Sequence, residues 1–388
     1  MISGNGGATR EAKEFFREGI PNLRGMRYSS RAMPLRIFLI FLALGSLLRA
    51  ATPDETARFL AGLPLQGTSL ESLSAAPFWA KHAVRFDAAW KELDKRQISK
   101  IKAWAPENLA PAYEGHGNVF YFFSGPDQLY ASLLFPNAAN YVLVAREPVG
   151  ILPEPDKIPV AQLAPSLENL YSTLNASLSF SFFITKKMKD DLKHQQLSGT
   201  TPVIMVFLAR GGYKIESVDF IGLDAAGAVT ADAKPASRGV KIVVTGASGE
   251  KQNVYYFEAD LGDWVLKKND AVLKFCDSLG RGSSLVKAAS YLMHGGGFDI
   301  VRNYIEKNSD LVIEDDSGIP LHYFDKKEWD LKFYGHYSGP IGLFKKSFQA
   351  DVAAAYKETA PGPLPFSFGY NWRPNTSGAL IARKKANP

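Results

Sequence analysis

The chain has 388 residues, a sequence pI near 9.1 and a formal net charge of +6 at pH 7. Residues 1–50 contain eight Lys or Arg and three Asp or Glu, a net charge of +5, which leaves +1 for the remainder of the chain. A nearly neutral body has no positive surface for a phosphate backbone, so the composition argues against a nucleic-acid partner. A single cysteine excludes an internal disulfide, and the fold must depend on an apolar core.

Residues 34–50 have the pattern of a secretory signal peptide. A basic residue, Arg36, precedes the apolar stretch 37–48, and small residues follow it as a signal peptidase requires. The stretch is shorter than a permanent membrane span. We therefore predict that residues 1–51 are an extension and signal peptide that are removed or disordered, and that the rest is an extracytoplasmic protein without a stable membrane span. Cleavage after Ala50 would place Leu48 at the −3 position, and cleavage after Ala51 would place Arg49 there, so an uncleaved N-terminal anchor is the alternative.

Two helices are predicted at the start of the chain that remains. Thr52, Pro53 and Glu55 have the spacing of a capping box, which predicts a helix that begins at this point. A longer helix is predicted at residues 77–104, because apolar residues recur there at steps of three to five and the opposite face is charged. Pro106 marks its predicted end. The N-terminal part of the chain is therefore predicted to be helical.

A strand, a short helix and a second strand follow. Residues 119–123 and 141–145 are apolar runs of strand length, and residues 128–134 between them have the pattern of a short helix. These segments predict a compact β-α-β element that completes a region at 52–147. The helix is short for a full crossover, so the relative direction of the two strands is left open.

The proline-rich residues 148–159 predict a linker or an extended surface loop. The region 160–388 then alternates predicted helices and strands. Strands are predicted at 203–208, 215–223, 240–245, 254–258, 311–314, 321–324 and 329–337, and helices at 271–279, 284–293 and 299–307. The sum is an α+β fold in which an N-terminal helical region packs on a mixed, largely antiparallel sheet. We predict that the regions 52–147 and 160–388 form one integrated unit.

Two turns carry candidate ligand-binding side chains. The first contains Ser124 and Asp127 and follows the predicted strand 119–123. In open sheets with parallel strands, ligands bind beyond the carboxyl ends of the strands, so this position is a candidate for binding or chemistry. Ser124 would serve as a hydroxyl donor or a nucleophile, and Asp127 as an acid or a base. The simpler interpretation of Asp127 is a cap on the following helix.

The second turn contains Asp315, Asp316 and Ser317, within the densest acidic cluster of the chain. Adjacent carboxylates bind hard cations through their oxygens, or raise each other's pKa for acid–base chemistry. A plain turn at the end of the predicted strand 311–314 is the simpler interpretation.

The six histidines show no metal-ligand spacing, so we predict neither a metal nor a cofactor. His322 and His336 lie in tyrosine-rich predicted strands and are the histidines best suited to share a pocket with the acidic turn. We predict that one cleft gathers six candidate ligand-binding side chains: Ser124, Asp127, Asp315, Asp316, Ser317 and His336.

Four short strings begin at Phe122 (FFSGPD), Tyr291 (YLMH), Asp315 (DDSGIP) and Tyr337 (YSGPI). Together with residues 366–371, they resemble strings of an uncharacterised family of exported bacterial proteins, a domain of unknown function. The resemblance covers most of the chain after the signal segment. It implies a bacterial protein that is periplasmic or secreted and built as one coherent unit. The family has no known activity, so the resemblance transfers no catalytic residue.

These observations favour a non-catalytic protein that binds an unknown small molecule or an envelope component. The hypothesis depends on the predicted export, the nearly neutral charge and the absence of any complete catalytic motif from the sequence. A first alternative is an extracytoplasmic hydrolase that uses Ser124 or a carboxylate pair. A second alternative is a structural envelope protein without a pocket.

Overall fold

The computed structural model describes most of the chain, namely residues 49–179, 196–232, 234–373 and 375–386. From Ala50 onward, these residues form one compact unit. The predicted signal segment lies outside them except for its last two residues. None of the helices in these ranges combines the length and the apolarity that crossing a membrane requires.

A ten-stranded mixed sheet forms the centre of this unit. Its strands are β1 (Asn118–Phe122), β2 (Asn140–Ala145), β3 (Lys214–Leu223), β4 (Val229–Thr230), β5 (Ser237–Thr245), β6 (Lys251–Glu258), β7 (Gly282–Val286), β8 (Ser309–Glu314), β9 (Trp329–Gly335) and β10 (Gly378–Lys384). They lie in the order β4-β3-β5-β6-β2-β1-β7-β8-β10-β9. The central strands β6, β2, β1, β7 and β8 are parallel, and antiparallel strands flank them on both sides. The predicted α+β fold with a mixed sheet is confirmed.

The central strands are buried on both faces. In β1, Val119 and Tyr121 belong to one apolar core, whereas Phe120 and Phe122 belong to a second core on the opposite face. All four side chains are almost completely buried. Strands that are covered by helices on both sides are apolar at successive positions rather than at alternate ones. This explains why the β1 sequence is a continuous aromatic and apolar run.

Seven α-helices lie in the described residues that precede β3. They are α1 (Pro53–Leu60), α2 (Glu71–Ser74), α3 (Pro77–Leu93), α4 (Ser99–Leu109), α5 (Gln128–Leu134), α6 (Val160–Ser179) and α7 (Thr201–Arg210). All except α2 contribute side chains to the core that contains Tyr121. The capping box that begins α1 is confirmed, because Thr52 Oγ1 accepts from Glu55 N and the Glu55 carboxylate accepts from Thr52 N.

The predicted helix at residues 77–104 is divided into α3 and α4 by a π-helical turn, Asp94–Ile98. Pro106 does not end α4, which continues through it to Leu109. A proline in the last turn removes one N–H group and leaves the following residues free to stay helical. The boundary prediction was therefore wrong by about one turn.

Four helices cover the other face: α8 (Asp263–Leu266), α9 (Ala271–Leu279), α10 (Asp299–Asn308) and α11 (Ala350–Glu358). Their apolar side chains pack against the core that contains Phe120 and Phe122. Cys276, on α9, is completely buried in this core, and burial raises the pKa of its thiol. A buried thiol with a raised pKa is a weak nucleophile, so Cys276 is an apolar packing residue here.

Three predicted elements differ from the structure. Residues 203–208, predicted as a strand, belong to α7, whose apolar side chains are buried on all sides, so the sequence lacks an amphipathic period. Residues 284–293, predicted as a helix, contain the end of β7 and a loop, because β1 and β8 pair with this segment on both sides. Residues 321–324, predicted as a strand, form a 3-10 turn over Leu321–Tyr323.

Two glycines allow the chain to cross itself between β2 and α7. Ile151 N donates a hydrogen bond to Ser198 O (3.3 Å), and Gly150 and Gly199 meet at this crossing. A Cβ atom added to Gly199 would lie 2.1 Å from Gly150 Cα, closer than any van der Waals contact. Gly199 also has a left-handed φ of +85°, which glycine adopts without strain. The crossing fixes the described residues before α6 to those before α7.

We expect Gly199→Ala to destabilise the protein more than Gly212→Ala does. Both glycines have a φ of +85°, but a Cβ atom at Gly212 would meet nothing within 4 Å. The difference between the variants therefore isolates the steric clash, which should cost about 2 kcal/mol beyond the backbone strain of about 1 kcal/mol that both share. Urea unfolding followed by circular dichroism measures both free energies. Equal losses of unfolding free energy in the two variants would contradict the close contact between Gly150 and Gly199.

Candidate functional site

Three loops meet at the carboxyl edge of the parallel strands. The turn after β1 contains Ser124 and Asp127, the loop after β7 contains residues 287–291, and the turn after β8 contains residues 315–317. β1, β7 and β8 are neighbours in the sheet and parallel, so their carboxyl ends lie side by side. The two predicted turns are consequently separated by the loop that follows β7.

A buried ion pair joins the first turn to this loop. Lys287 Nζ lies 2.8 Å from the Asp127 carboxylate, and both side chains are at most 2% exposed. Tyr121 Oη donates to the same carboxylate (2.9 Å). Lys287 Nζ also lies 4.1 Å from the centroid of the Tyr130 ring. A buried ion pair tolerates its loss of hydration only when further hydrogen bonds and aromatic contacts surround it, as they do here.

The loop after β7 has an unusual backbone. Ala288, Ser290 and Tyr291 all have φ values of 55–56°, in the left-handed region that residues with a side chain rarely adopt. Tyr370 holds this backbone in place, because its Oη atom donates to Ala288 O (2.8 Å) and lies 2.9 Å from Ser290 Oγ. Such strain persists only where the surroundings determine the conformation, and it concentrates at binding and active sites.

Asp315 connects the loop to the turn after β8. Its carboxylate accepts hydrogen bonds from Ser317 Oγ (2.6 Å), Ala288 N (3.2 Å) and Tyr370 N (3.3 Å). A Cβ atom at Gly369, whose φ is +73°, would lie 1.6 Å from this carboxylate, so only glycine fits there. Burial raises the pKa of Asp315, and the hydrogen bond from Ser317 is the main opposing effect.

Ser317 is fully buried, and its Oγ atom accepts from Ala289 N (2.7 Å). With its donation to Asp315, this hydroxyl has both a donor and an acceptor role inside the protein. Ser317 and Asp315 therefore hold two loops together. Their side-chain oxygens are used for these internal hydrogen bonds.

Asp316 is the carboxyl group of this turn that stays partly exposed. Its Oδ2 atom accepts from Tyr291 Oη (2.8 Å), and its backbone carbonyl accepts from Gln349 Nε2 (3.0 Å). Burial, followed by the neighbouring Asp315 carboxylate, raises the pKa of Asp316 to about 7. The group therefore changes its charge near neutral pH, as acid–base and ligand-binding carboxyl groups often do.

Asp316 lines a small recess of about 30 Å³ together with His336, Gln349, Asn371 and the buried Glu314 carboxyl, whose pKa burial raises, and apolar side chains form much of the remaining wall. This volume holds about one water molecule. His336 is exposed, whereas Gln349 is buried and uses its side chain to bind Asp316 O and Leu321 N. The recess is therefore large enough for one functional group of a ligand.

The structure places the six predicted residues in two groups. Asp315, Asp316 and His336 line the recess, and Ser317 lies beneath it in contact with Asp315. Ser124 and Asp127 are not among its lining residues. Asp127 caps α5 by accepting from Tyr130 N, and Ser124 Oγ donates to Gly125 O (2.8 Å). Lys287 connects the groups, because it binds Asp127 and precedes Ala288, which binds Asp315.

Several site residues were not predicted from the sequence, namely Lys287, Tyr291, Gln349, Tyr370 and Asn371. Lys287 fell inside a segment predicted as a helix. Lys287 directly follows the apolar run of β7, and this position could have indicated a site residue, because functional side chains often lie at the carboxyl ends of parallel strands. The other four come from three loops that are far apart in the sequence, and only the fold brings these loops together.

Within the described ranges, no group of three or more His, Cys, Asp or Glu side chains is arranged to hold a metal ion. Comparisons with protein-family models, with curated proteins and with solved structures find no match. The resemblance to a family of exported bacterial proteins stays a prediction. The geometry at the carboxyl edge of the parallel strands is therefore the main indication of function.

We expect Lys287→Met to destabilise the protein by about 3 kcal/mol or more, because it leaves the Asp127 carboxylate buried without its cation. Lys274→Met is the control. The Lys274 side chain is 46% exposed, so its ion pair with Asp270 should contribute at most about 1 kcal/mol to the free energy of unfolding. Adding Asp127→Asn to Lys287→Met should cost less than the sum of the two single changes. Urea unfolding measures all four variants. A loss for Lys287→Met as small as the control would contradict the buried pair.

Proposed function

We propose that this protein binds a small polar ligand at the recess beside Asp316, without catalysing a reaction, in an extracytoplasmic setting. The observation that carries the proposal is the Asp316 carboxyl, which is partly exposed, accepts from Tyr291 and has a pKa raised to about 7. Asp315 and Ser317 are buried and use their side chains for internal hydrogen bonds, whereas Asp316 lines the recess and is partly exposed.

The size and polarity of the recess define the part of the ligand that enters it. A volume of about 30 Å³ admits one hydroxyl or ammonium group. Ionised Asp316 would accept a hydrogen bond from that group, and an ammonium group would also form an ion pair with it. The remainder of the ligand would lie outside the recess, next to the exposed His336.

The framework beneath the recess supports binding because it is rigid before the ligand arrives. The Lys287–Asp127 ion pair and the Asp315 hydrogen bonds join all three loops of the edge. Tyr370 fixes the strained backbone of the loop after β7. A preformed site loses little conformational entropy on binding, so even a small ligand gains measurable affinity.

A carboxylate-dependent hydrolase is the second candidate. The adjacent carboxyls of Asp315 and Asp316, with a pKa raised to about 7 at Asp316, have the character of a general acid near neutral pH. The route through Ser124 has less support, because Ser124 Oγ donates to Gly125 O and does not line the recess with His336.

The binding proposal is tested with a panel of monosaccharides, polyols and primary amines, screened by thermal shift and then by calorimetry. A primary amine should bind about tenfold more tightly at pH 8 than at pH 6, because Asp316 becomes ionised as the pH rises through its pKa of about 7. Asp316→Asn should abolish this pH dependence and weaken binding. Asp330→Asn removes an exposed carboxyl outside the recess and should change neither.

Binding that Asp316→Asn leaves unchanged, or no binding by any compound, would contradict the proposal. The same preparations are assayed with ester, glycoside and peptide substrates. Turnover that Asp316→Asn removes and Ser124→Ala retains would identify the carboxylate hydrolase. A protein with neither ligand nor turnover would be the structural envelope protein of the remaining hypothesis.

The extracytoplasmic setting is a separate part of the proposal and is supported by the pattern of residues 34–50. N-terminal sequencing of the protein recovered from the periplasm or the medium should give a first residue near Ala51 or Thr52. A mature chain that begins before residue 45 would contradict export by a cleaved signal peptide, and a chain retained in the membrane would identify an anchor.

A further inference from the structure

A second and larger cavity, of about 690 Å³, lies between the N-terminal helices and the segment that follows α11. We call it the cationic cavity. Arg96, Lys100 and Arg373 line it, and none of the described residues around it is Asp or Glu. It shares His336 with the recess beside Asp316, but its other lining residues are different. Its volume lies within the range of sites that hold a drug-sized ligand.

Lys100 and Arg373 have no carboxylate partner among the described residues, whereas Arg96 is partnered. Arg96 Nε lies 3.2 Å from Glu92, which is outside the cavity, and Arg96 Nη2 donates to Leu178 O (2.6 Å). Lys100 and Arg373 are exposed, and no carboxylate of the described residues lies within ion-pair distance of either. A concave surface of one sign, with a low-dielectric wall, concentrates its potential on whatever enters it.

An aromatic side chain stands at the same surface. Trp372 is 38% exposed, and the Arg373 guanidinium lies 5.9 Å from its ring. Ser367 Oγ donates to Trp372 O (2.7 Å), which fixes the backbone beneath the indole. An exposed indole provides a flat apolar surface for a ring-shaped ligand, and the adjacent cation provides a partner for its charge.

The wall of the cavity is preformed. Trp104 Nε1 donates to Pro363 O (2.9 Å), and the Trp104 ring packs edge-on against Phe366 at 5.3 Å. Gly362 N donates to Phe333 O (2.9 Å), which fixes this proline-rich segment to β9. On the side of the cavity formed by residues 362–366, a ligand therefore meets a surface that is already held in place.

We propose that the cationic cavity binds an acidic oligosaccharide. Lys100 and Arg373 would bind the carboxylates, the Trp372 indole would cover the apolar face of a sugar ring, and the Asn375 amide would bind hydroxyl groups. This site is distinct from the one beside Asp316, since His336 is the only described residue that lines both.

The test uses an α-1,4-linked trimer of galacturonic acid and, as its neutral counterpart, the α-1,4-linked trimer of galactose, both titrated into the purified chain by calorimetry. The acidic trimer should bind, whereas the galactose trimer should bind at least about tenfold more weakly because it lacks the carboxylates. Lys100→Gln combined with Arg373→Gln should weaken binding of the acidic trimer by about tenfold. Trp372→Ala should weaken it as well, and added salt should weaken the wild-type interaction.

Two controls separate this site from general electrostatics and from the recess. Lys326→Gln combined with Lys327→Gln removes the same charge from exposed positions outside the cavity and should change the affinity by less than about twofold. Asp316→Asn should also leave binding of the acidic trimer unchanged. If Asp316→Asn alone abolished it, the ligand would occupy the recess and the cavity proposal would fail.

Three further results would overturn the inference. They are no binding of the acidic trimer at about 5 mM, equal binding of the galactose trimer, or equal losses of affinity in the double variant inside the cavity and the double variant outside it. None of these results bears on the amine panel, so failure here leaves the binding proposal at Asp316 standing. Conversely, binding of the acidic trimer without binding of any amine or polyol would support the cationic cavity and contradict the proposed site beside Asp316.

Discussion

The buried ion pair between Lys287 and Asp127 is the interaction on which the carboxyl edge depends. Removing two charges from water is unfavourable, and here the loss is offset by their short contact, by Tyr121 and by the Tyr130 ring. Because the pair fixes the first residue after β7, the next residues are held in left-handed conformations that they would not adopt alone. Without this pair, the loop would lack the anchor that directs Ala288 N towards Asp315.

At the same edge, some side chains hold the loops in position, whereas Asp316 is available to a ligand. Asp127, Asp315 and Ser317 are buried, and their hydrogen bonds to neighbouring loops are satisfied internally. Asp316 lies at the boundary of this network, where burial and the Asp315 carboxylate shift its pKa towards neutrality. His336 lies between this acidic recess and a cavity of opposite charge, so the end of β9 presents two electrostatic environments.

The sequence predicts the position of the two turns, because an apolar run followed by Ser, Gly, Pro or Asp marks the end of a buried strand. It does not predict which of Asp315 and Asp316 is exposed, since that depends on Tyr370 and Gly369, more than 50 residues away. Lys287 was missed for a related reason. The pairing of β7 with two neighbours outweighs the helical pattern of residues 284–293, and such long-range pairing leaves no local signal.

The chain contains one cysteine, and the fold places it at the centre of the layer formed by α9. Cys276 is inert in the folded protein because its thiol is buried and its pKa is raised. It becomes reactive only when α9 separates from the sheet. The protein therefore carries its own reporter of local opening: the rate at which a thiol reagent modifies it measures how often this layer detaches, with no label or substitution introduced.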